Sequence, residues 1–366
     1  MKFSISRETL LTPLNLVAGV VERRQTLPIL ANVLISLEGG QLSLTGTDLE
    51  VELLGRVTVE ESASEGEVTV PARKLVDIVK SLPDGSTIDF AVEDQRAVIK
   101  CGRSRFTLST LPASEFPNIE EGQASLSFSV KQGQLKKLID ATAFGMAQQD
   151  VRYYLNGMLW EIKNNQFRVV ATDGHRLALS TEENVTVDGE KQVILPRKGV
   201  LELARLLLAE NEEIQLSLGD THLRATTEDF SFTSKLVDGK FPDYERVLPR
   251  GTTREVIAKR GELRQALTRA AILSNEKYRG IRMQFADNEL SIKANNPEQE
   301  EAEDVVAIEY SYEPLEIGFN VSYLLDVMSV VQGENIKMSL SDSNSSALLE
   351  DSEDGSSLYV VMPMRL

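Results

Sequence analysis

Asp173-Gly174-His175, with Ser180 seven residues beyond Asp173, places a carboxylate, an imidazole and a hydroxyl close together in the chain. Those are the residue types of nucleophilic acyl transfer, in which an oriented base takes the proton of a serine. The surrounding sequence does not develop the pattern. It has no Gly-x-Ser-x-Gly elbow, no phosphate-cradling P-loop and no Gly-x-Gly-x-x-Gly turn. With two histidines (His175, His222) and the single Cys101, it offers little for a zinc site and no intrachain disulfide. Thr172-Asp173 also has a twin, Thr47-Asp48, 125 residues earlier and without a following histidine. A structural turn explains both copies better than catalysis, so the expectation is a protein that is not an enzyme and holds no cofactor or metal.

That twin is one landmark of a threefold repeat. Val68-Thr69-Val70-Pro71-Ala72-Arg73-Lys74, Val193-Ile194-Leu195-Pro196-Arg197-Lys198 and Ile317-Gly318-Phe319-Asn320 each open a run of helical spacing, at steps of 125 and 124 residues. Phe116-Pro117-Asn118 recurs as Phe241-Pro242-Asp243, and Phe3-Ser4-Ile5 as Phe128-Ser129-Val130 and Val256-Ile257-Ala258. Units of this size are domains rather than solenoid repeats. The expected division is 1–125, 126–253 and 254–366, with seams at the polar stretches Asn118–Ser125 and Pro249–Arg254. Hydrophobic periodicity inside a unit reads strand, helix, three strands, and then the same again. Pro71 falls near the start of the second helix, with Leu75, Ile78, Val79 and Leu82 expected on its buried face. The fold class is therefore α+β, sheets with helices packed on one face.

The formal charge of −17 speaks at first against nucleic acid. It is sorted, however: the six helical runs together carry net +9, leaving −26 on the rest. Basic excess on five of six helices, at repeated positions, points to a surface that faces phosphates without reading sequence. No run of about 18 apolar residues spans a membrane. The opening Met1-Lys2-Phe3-Ser4-Ile5 alternates like a strand and has no signal-peptide pattern, so the cytoplasm is the expected compartment. The competing reading, an acidic scaffold that binds only proteins, accounts for the total charge but not for the basic helices.

Repeat 1 closes with a basic, partly apolar edge, Arg96, Lys100, Arg103, Arg105, Phe106 and Leu108. Repeat 3 carries the acidic run Glu298, Glu300, Glu301, Glu303 and Asp304. Complementary ends suit a heterologous contact that closes into a ring.

Several long strings, in order and in register with all three repeats, resemble the bacterial DNA polymerase III β subunit family of sliding clamps. They are Leu42–Glu50, Gln149–Met158, Ala171–Leu177, Phe232–Gly239, Asn295–Glu303 and Val361–Leu366. The resemblance implies three tandem clamp-fold domains and a head-to-tail homodimeric ring, helices lining a pore and sheets outside. The ring would encircle duplex DNA, slide without sequence preference and tether the replicative polymerase. It places DNA contacts at Arg24, Arg73, Gln149, Tyr153, Tyr154, Arg197, Lys198 and Arg205. It implies a dimer seam of Lys74, Arg96, Arg103, Arg105, Phe106 and Leu108 against Ile272, Leu273, Glu300, Glu301, Glu303 and Asp304. It also implies a groove for short linear motifs of the polymerase III catalytic subunit, the clamp loader, translesion polymerases and repair proteins. On one side the groove is Arg152, Tyr154, Leu155, Thr172, Gly174, His175, Arg176, Leu177, Pro242, Arg246 and Val247. On the other it is Asn320, Tyr323, Ser346, Val360, Val361, Met362, Pro363, Met364 and Arg365. Without the resemblance, the apolar tail Tyr359–Leu366 reads as an edge strand closing the last domain.

Overall fold

The computed structural model describes residues 1–21, 27–59, 61–119 and 122–365. The first repeat runs β1 (Lys2–Ser6), α1 (Arg7–Ala18), β2 (Asn32–Glu38), β3 (Gln41–Thr47), β4 (Val51–Thr58), β5 (Glu61–Ser64), β6 (Gly66–Pro71), α2 (Ala72–Ser81), β7 (Thr87–Glu93), β8 (Arg96–Cys101) and β9 (Ser104–Ser109). The second runs β10 (Leu126–Lys131), α3 (Gln132–Thr142), β11 (Gly157–Lys163), β12 (Gln166–Thr172), β13 (Arg176–Glu182), β14 (Lys191–Pro196), α4 (Arg197–Leu206), β15 (Glu213–Leu218), β16 (His222–Thr226) and β17 (Phe230–Lys235). The third runs β18 (Arg254–Lys259), α5 (Arg260–Ile272), β19 (Gly280–Ala286), β20 (Glu289–Asn295), β21 (Glu301–Glu309), β22 (Leu315–Asn320), α6 (Val321–Val330), β23 (Asn335–Leu340), β24 (Ala347–Asp351) and β25 (Ser357–Val361). Strand, helix and three strands thus recur twice per repeat, as the periodicity predicts, with β5 the one insertion.

The chain forms two compact units, Met1–Gly133 with Thr186–Asp188 and Lys198–Leu236, and Gln134–Val185 with Gly189–Arg197 and Val237–Leu366. The first unit holds two sheets, in the orders β5-β1-β7-β8-β9 and β10-β15-β16-β17-β4-β3-β2-β6. The second holds a sheet ordered β14-β11-β12-β13-β25-β24-β23-β18-β21-β20-β19-β22. In each unit one antiparallel pairing joins strands of consecutive repeats. In the first, β4 meets β17 from Gly55↔Phe230 to Val51↔Ser234. In the second, β13 meets β25 from Arg176↔Val361 to Ser180↔Ser357.

Local chemistry sets the element ends. Ser6 Oγ accepts from Thr9 N at 3.1 Å and starts α1. Pro71 is the last residue of β6 and the N-cap of α2 rather than lying inside the helix. A proline fits there because β6 is an edge strand and has no ladder partner waiting for an N–H. Pro196 stands likewise at the end of edge strand β14. At the third copy Asn320 ends edge strand β22, and its Oδ1 accepts from Ser322 N at 2.9 Å. On α2 the buried face is Ala72, Leu75, Val76 and Val79, so Val76 takes the place expected for Ile78. Helix α1 lies so close to β4 that a Cβ at Gly55 would sit 2.8 Å from Pro13 Cβ, and only glycine fits. The fully buried Trp160, Phe167, Phe285, Phe319 and Tyr359 come from the inner faces of strands in the second unit. Among the described residues no helix is long and apolar enough to cross a membrane.

Candidate functional sites: tail groove, basic helices and open strand edges

The turn after β12 explains the suspected catalytic residues. Thr172 Oγ1 donates to Arg176 O at 2.6 Å and accepts from Gly174 N at 3.1 Å. Asp173 Oδ1 accepts from His175 N at 2.9 Å and Arg176 N at 3.1 Å. The turn after β3 repeats every bond. Thr47 Oγ1 donates to Val51 O (2.9 Å) and accepts from Leu49 N (3.1 Å), and Asp48 Oδ1 accepts from Glu50 N (2.9 Å) and Val51 N (2.7 Å). Both carboxylates hold a tight turn, in which Leu49 and Gly174 have φ of +77° and +90°. His175 stacks on Tyr323 with ring centroids 6.4 Å apart, and Ser180 is buried against the Ser357 hydroxyl at 2.8 Å.

The C-terminal tail is an inner strand rather than an edge. β25 lies between β13 and β24, and the chain continues with Met362 N donating to His175 O (3.0 Å) and Met364 N to Gly318 O (2.8 Å). Because side chains alternate along a strand, the tail serves two faces. Val360 packs with Leu155, Leu177, Leu179, Phe241 and Tyr244, and the half-buried Tyr154 and Val247 border that cluster. Thr172, Gly174, Asn320, Ser346, Pro363 and Met364 are also partly open, while Met362, His175, Pro242, Arg246, Arg152 and Arg365 are exposed. The residues expected in the groove all belong to the second compact unit, where Leu155, Leu177 and Val360 share one apolar floor.

Val361 and Tyr323 pack with a different cluster, and Arg176 follows. Val361 faces the core of the last repeat, with Phe319, Leu324 and Tyr359. Arg176, its cross-strand partner, goes with it. Its Nε donates to Asp173 Oδ2 at 3.1 Å, Nη1 to the Asp326 carboxylate of α6, and Nη2 to Phe144 O at 3.1 Å. Its guanidinium lies 4.6 Å from the Tyr323 ring centroid and 5.2 Å from that of Phe144. Arg176 ties β13 to α6; the sequence strings show the arginine but not which face the strand gives it. Arg152 crosses above Gly174, bonded to Asp173 O at 3.2 Å and to both oxygens of Asp150. Those bonds pull the Asp150 carboxyl down to about 2.

The helix cations divide into two groups. Arg7 opens α1 but reaches the carbonyls at the end of α2, Val79 O at 3.0 Å and Lys80 O at 3.2 Å. Arg260 opens α5 and reaches Met328 O at 3.2 Å and Gly333 O at 2.9 Å, at the end of α6. These two cap carbonyls at helix C-termini, although the charge pattern counts them with the phosphate-facing residues. Of the expected DNA contacts, Arg73 is exposed with one bond to Val21 O (3.3 Å). Lys198 pairs with the Asp48 carboxylate, and Arg205 with Glu202 at 2.7 Å. Arg197 reaches Met146 O at 3.4 Å. Gln149 is exposed at φ +55°, and exposed Tyr153 meets Tyr154 edge-on. Arg24 lies outside the described residues.

Two strand edges carry the residues expected at the seam. β9 is an outer strand of its sheet. β21 pairs with β20 along its length, but on its other side only Ile308 and Glu309 meet β18. Along β9 and its neighbours Arg96, Arg103 and Arg105 are exposed, Phe106 is partly buried and Leu108 is buried; Lys74 on α2 is exposed. On β21, Glu301 is exposed, Glu303 pairs with Lys293 at 3.1 Å, and Asp304 accepts from Arg269 Nε at 2.5 Å. Those partners hold both carboxyls below their ordinary range. Glu300 accepts from Asn296 Nδ2 at 2.6 Å. Ile272 is 75% exposed at the end of α5, with Leu273 partly buried beside it. Val305 on β21 is also exposed, at 53%; the sequence shows it as the apolar residue after the acidic run.

Three family models match the chain in succession: the N-terminal domain of the DNA polymerase III beta subunit over residues 1–120, the central domain over 129–243 and the C-terminal domain over 245–365. The chain belongs to the DNA polymerase III beta subunit family. It is 63% identical over 367 residues to the beta sliding clamp of Pseudomonas aeruginosa, with 100% of each chain covered. It is 51% identical over 366 residues to the beta sliding clamp of Escherichia coli K12, again with 100% of each covered. A crystal structure of the Pseudomonas aeruginosa sliding clamp bound to griselimycin matches with a TM-score of 0.98, 63% identity and 100% coverage of both chains. The protein is thus a sliding clamp, a processivity factor of DNA replication without catalysis of its own, and its partners are DNA and DNA polymerase.

Proposed function

We propose that two copies close head to tail into a ring around duplex DNA, in the cytoplasm, and that the ring slides without sequence preference. The observation that carries this reading is the bookended pairing of strands. The strand that ends the first half of repeat 1 pairs with the last strand of repeat 2 (β4 with β17), and that of repeat 2 with the last strand of repeat 3 (β13 with β25). The pair that would complete the series is β21 with β9: β9 is an outer strand of its sheet, and β21 meets β18 at two residues only. A second copy supplies each with its partner, and the basic β9 edge then meets the acidic β21 edge. Phe106, Leu108, Ile272 and Leu273 form the apolar centre of that seam, with Val305 beside them. Lys74, Arg96, Arg103 and Arg105 face Glu300, Glu301, Glu303 and Asp304.

In this reading Arg24, Arg73, Gln149, Tyr153, Tyr154, Arg197, Lys198 and Arg205 touch the DNA backbone through salt-sensitive, sequence-blind contacts. The floor of Leu155, Leu177, Val247, Val360 and Met362 takes apolar side chains of extended linear motifs. Such motifs come from the polymerase III catalytic subunit, the clamp loader, translesion polymerases and repair proteins. Sedimentation of the purified protein at low and high salt tests the ring. A dimer that loosens as salt rises supports it, and a monomer at micromolar concentration in low salt rejects it.

A further inference from the structure

The outer wall of the groove, Pro242 to Val247, belongs to no strand. Val237 N donates to Ile194 O at 2.9 Å and Thr253 N to Leu340 O at 3.1 Å. Between them, among the described residues, the backbone hydrogen bonds are local to the turn, Arg246 N to Asp243 O and Val247 N to Tyr244 O. Two buried side chains anchor this segment, Phe241 and Tyr244. Phe241 makes only apolar contacts, which fix depth but not orientation.

Tyr244 meets a polar row laid across three adjacent strands. Glu161 on β11 is the register partner of Arg168 on β12 and of Gln192 on β14. Glu161 is 8% exposed, a buried carboxylate that needs donors. Gln192 Nε2 donates to its Oε1, and Tyr244 Oη donates to its Oε2 at 2.5 Å. Arg168 Nη1 then donates to Tyr244 Oη at 2.9 Å, lies 3.8 Å from Glu161, and reaches Glu245 of the same turn at 4.0 Å.

We propose that Tyr244 and Glu161, braced by Arg168, are positioning residues that latch the groove wall, setting where Arg246 and Val247 stand for an incoming peptide. The claim rests on the groove reading above and adds the device that holds the groove in shape. Burial and the Glu161 carboxylate push the Tyr244 phenol up to about 12, so the donated proton stays in place through the neutral range.

The test uses the full chain and a fluorescein-labelled peptide carrying the linear motif of the polymerase III catalytic subunit. Tyr244→Phe removes the proton and keeps the ring. The expected result is a five- to tenfold weaker Kd, the scale of one hydrogen bond's net contribution. It is accompanied by faster tryptic cleavage after the exposed Arg246 and faster amide exchange confined to 241–248, with unchanged sedimentation. Glu161→Gln keeps one acceptor oxygen for Tyr244 Oη if Gln192 turns its amide oxygen to the new donor, and is expected to weaken the Kd less than Tyr244→Phe does. A chain ending at Val361, which lacks the Met362 side of the groove, is the control. If truncation abolishes binding while Tyr244→Phe changes neither Kd nor local exchange, the latch is refuted and the groove stands. If truncation leaves Kd unchanged, the groove reading fails and the latch with it.

Discussion

Replacing Arg176 with alanine removes the link between the β13–β25 seam and α6. The side chain is 13% exposed and donates to Asp173, Asp326 and Phe144 O. Deleting one partner of a buried ion pair costs about 3–5 kcal/mol. Here Asp326 is 42% exposed and regains water, while Asp173 is 19% exposed and keeps its two backbone donors, which puts the effect near the lower end. Stacking on Tyr323 and Phe144 adds about 0.5–1 kcal/mol each. The sum, about 4 kcal/mol, corresponds to a drop of about 8–16 °C in the thermal midpoint of a unit of about 200 residues. Scanning calorimetry of Arg176→Ala, Asp326→Ala and the double variant measures it. The reasoning requires the double variant to melt close to Arg176→Ala, a coupling of about 1.5–3 kcal/mol. A single-variant shift below about 2 °C, or fully additive shifts, refutes it.

Four further outcomes follow from named groups. Ile272→Asp, at a residue 75% exposed in the single chain, should leave the far-UV circular dichroism of the folded chain unchanged and shift sedimentation from dimer to monomer. Gly174→Ala should lower the thermal midpoint, since φ is +90° and the new Cβ would lie 2.9 Å from Arg152 Nη1; about 1–3 kcal/mol is expected, and an unchanged midpoint counts against the turn assignment. The Tyr359 phenol, like that of Tyr244, is pushed up to about 12 by burial. A raised folded-state value means that this part of the stability is complete below pH 10, falls as the unfolded tyrosines ionise and is gone above 12; chemical denaturation at pH 9 and 11 of the parent against Tyr359→Phe checks the sign. Arg73→Ala should weaken binding to linear duplex DNA about equally for all sequences and reduce the salt slope by about one, as measured by titration at several salt concentrations.

The sequence was most legible where the repeat supplied three versions of one statement. The alternation of strands and helices is read from periodicity, and the Thr-Asp turns from their 125-residue twinning, because local chemistry determines both. Side-chain direction was less legible. Arg7 and Arg260 look like phosphate-facing charge in a tally, yet each bends to the end of a neighbouring helix, a choice made by tertiary packing. Arg176 and Val361 share strings with other residues expected in the groove, but their place in the strand alternation sends them to the opposite face. Glu161, Arg168 and Tyr244 left no signal, since they are 7 and 76 residues apart along the chain and only strand register brings them together. The inner position of β25 was likewise hidden, because a strand's second neighbour is a long-range fact.

The most direct test of the central claim is retention on DNA by topology. The clamp is loaded onto a nicked circular plasmid by a bacterial clamp-loader complex and passed through a sizing column in salt high enough to screen phosphate contacts. The account predicts that it travels with the circle and is lost when one restriction cut linearises the plasmid. Equal retention on circular and linear DNA, or none on either, contradicts a closed ring that slides.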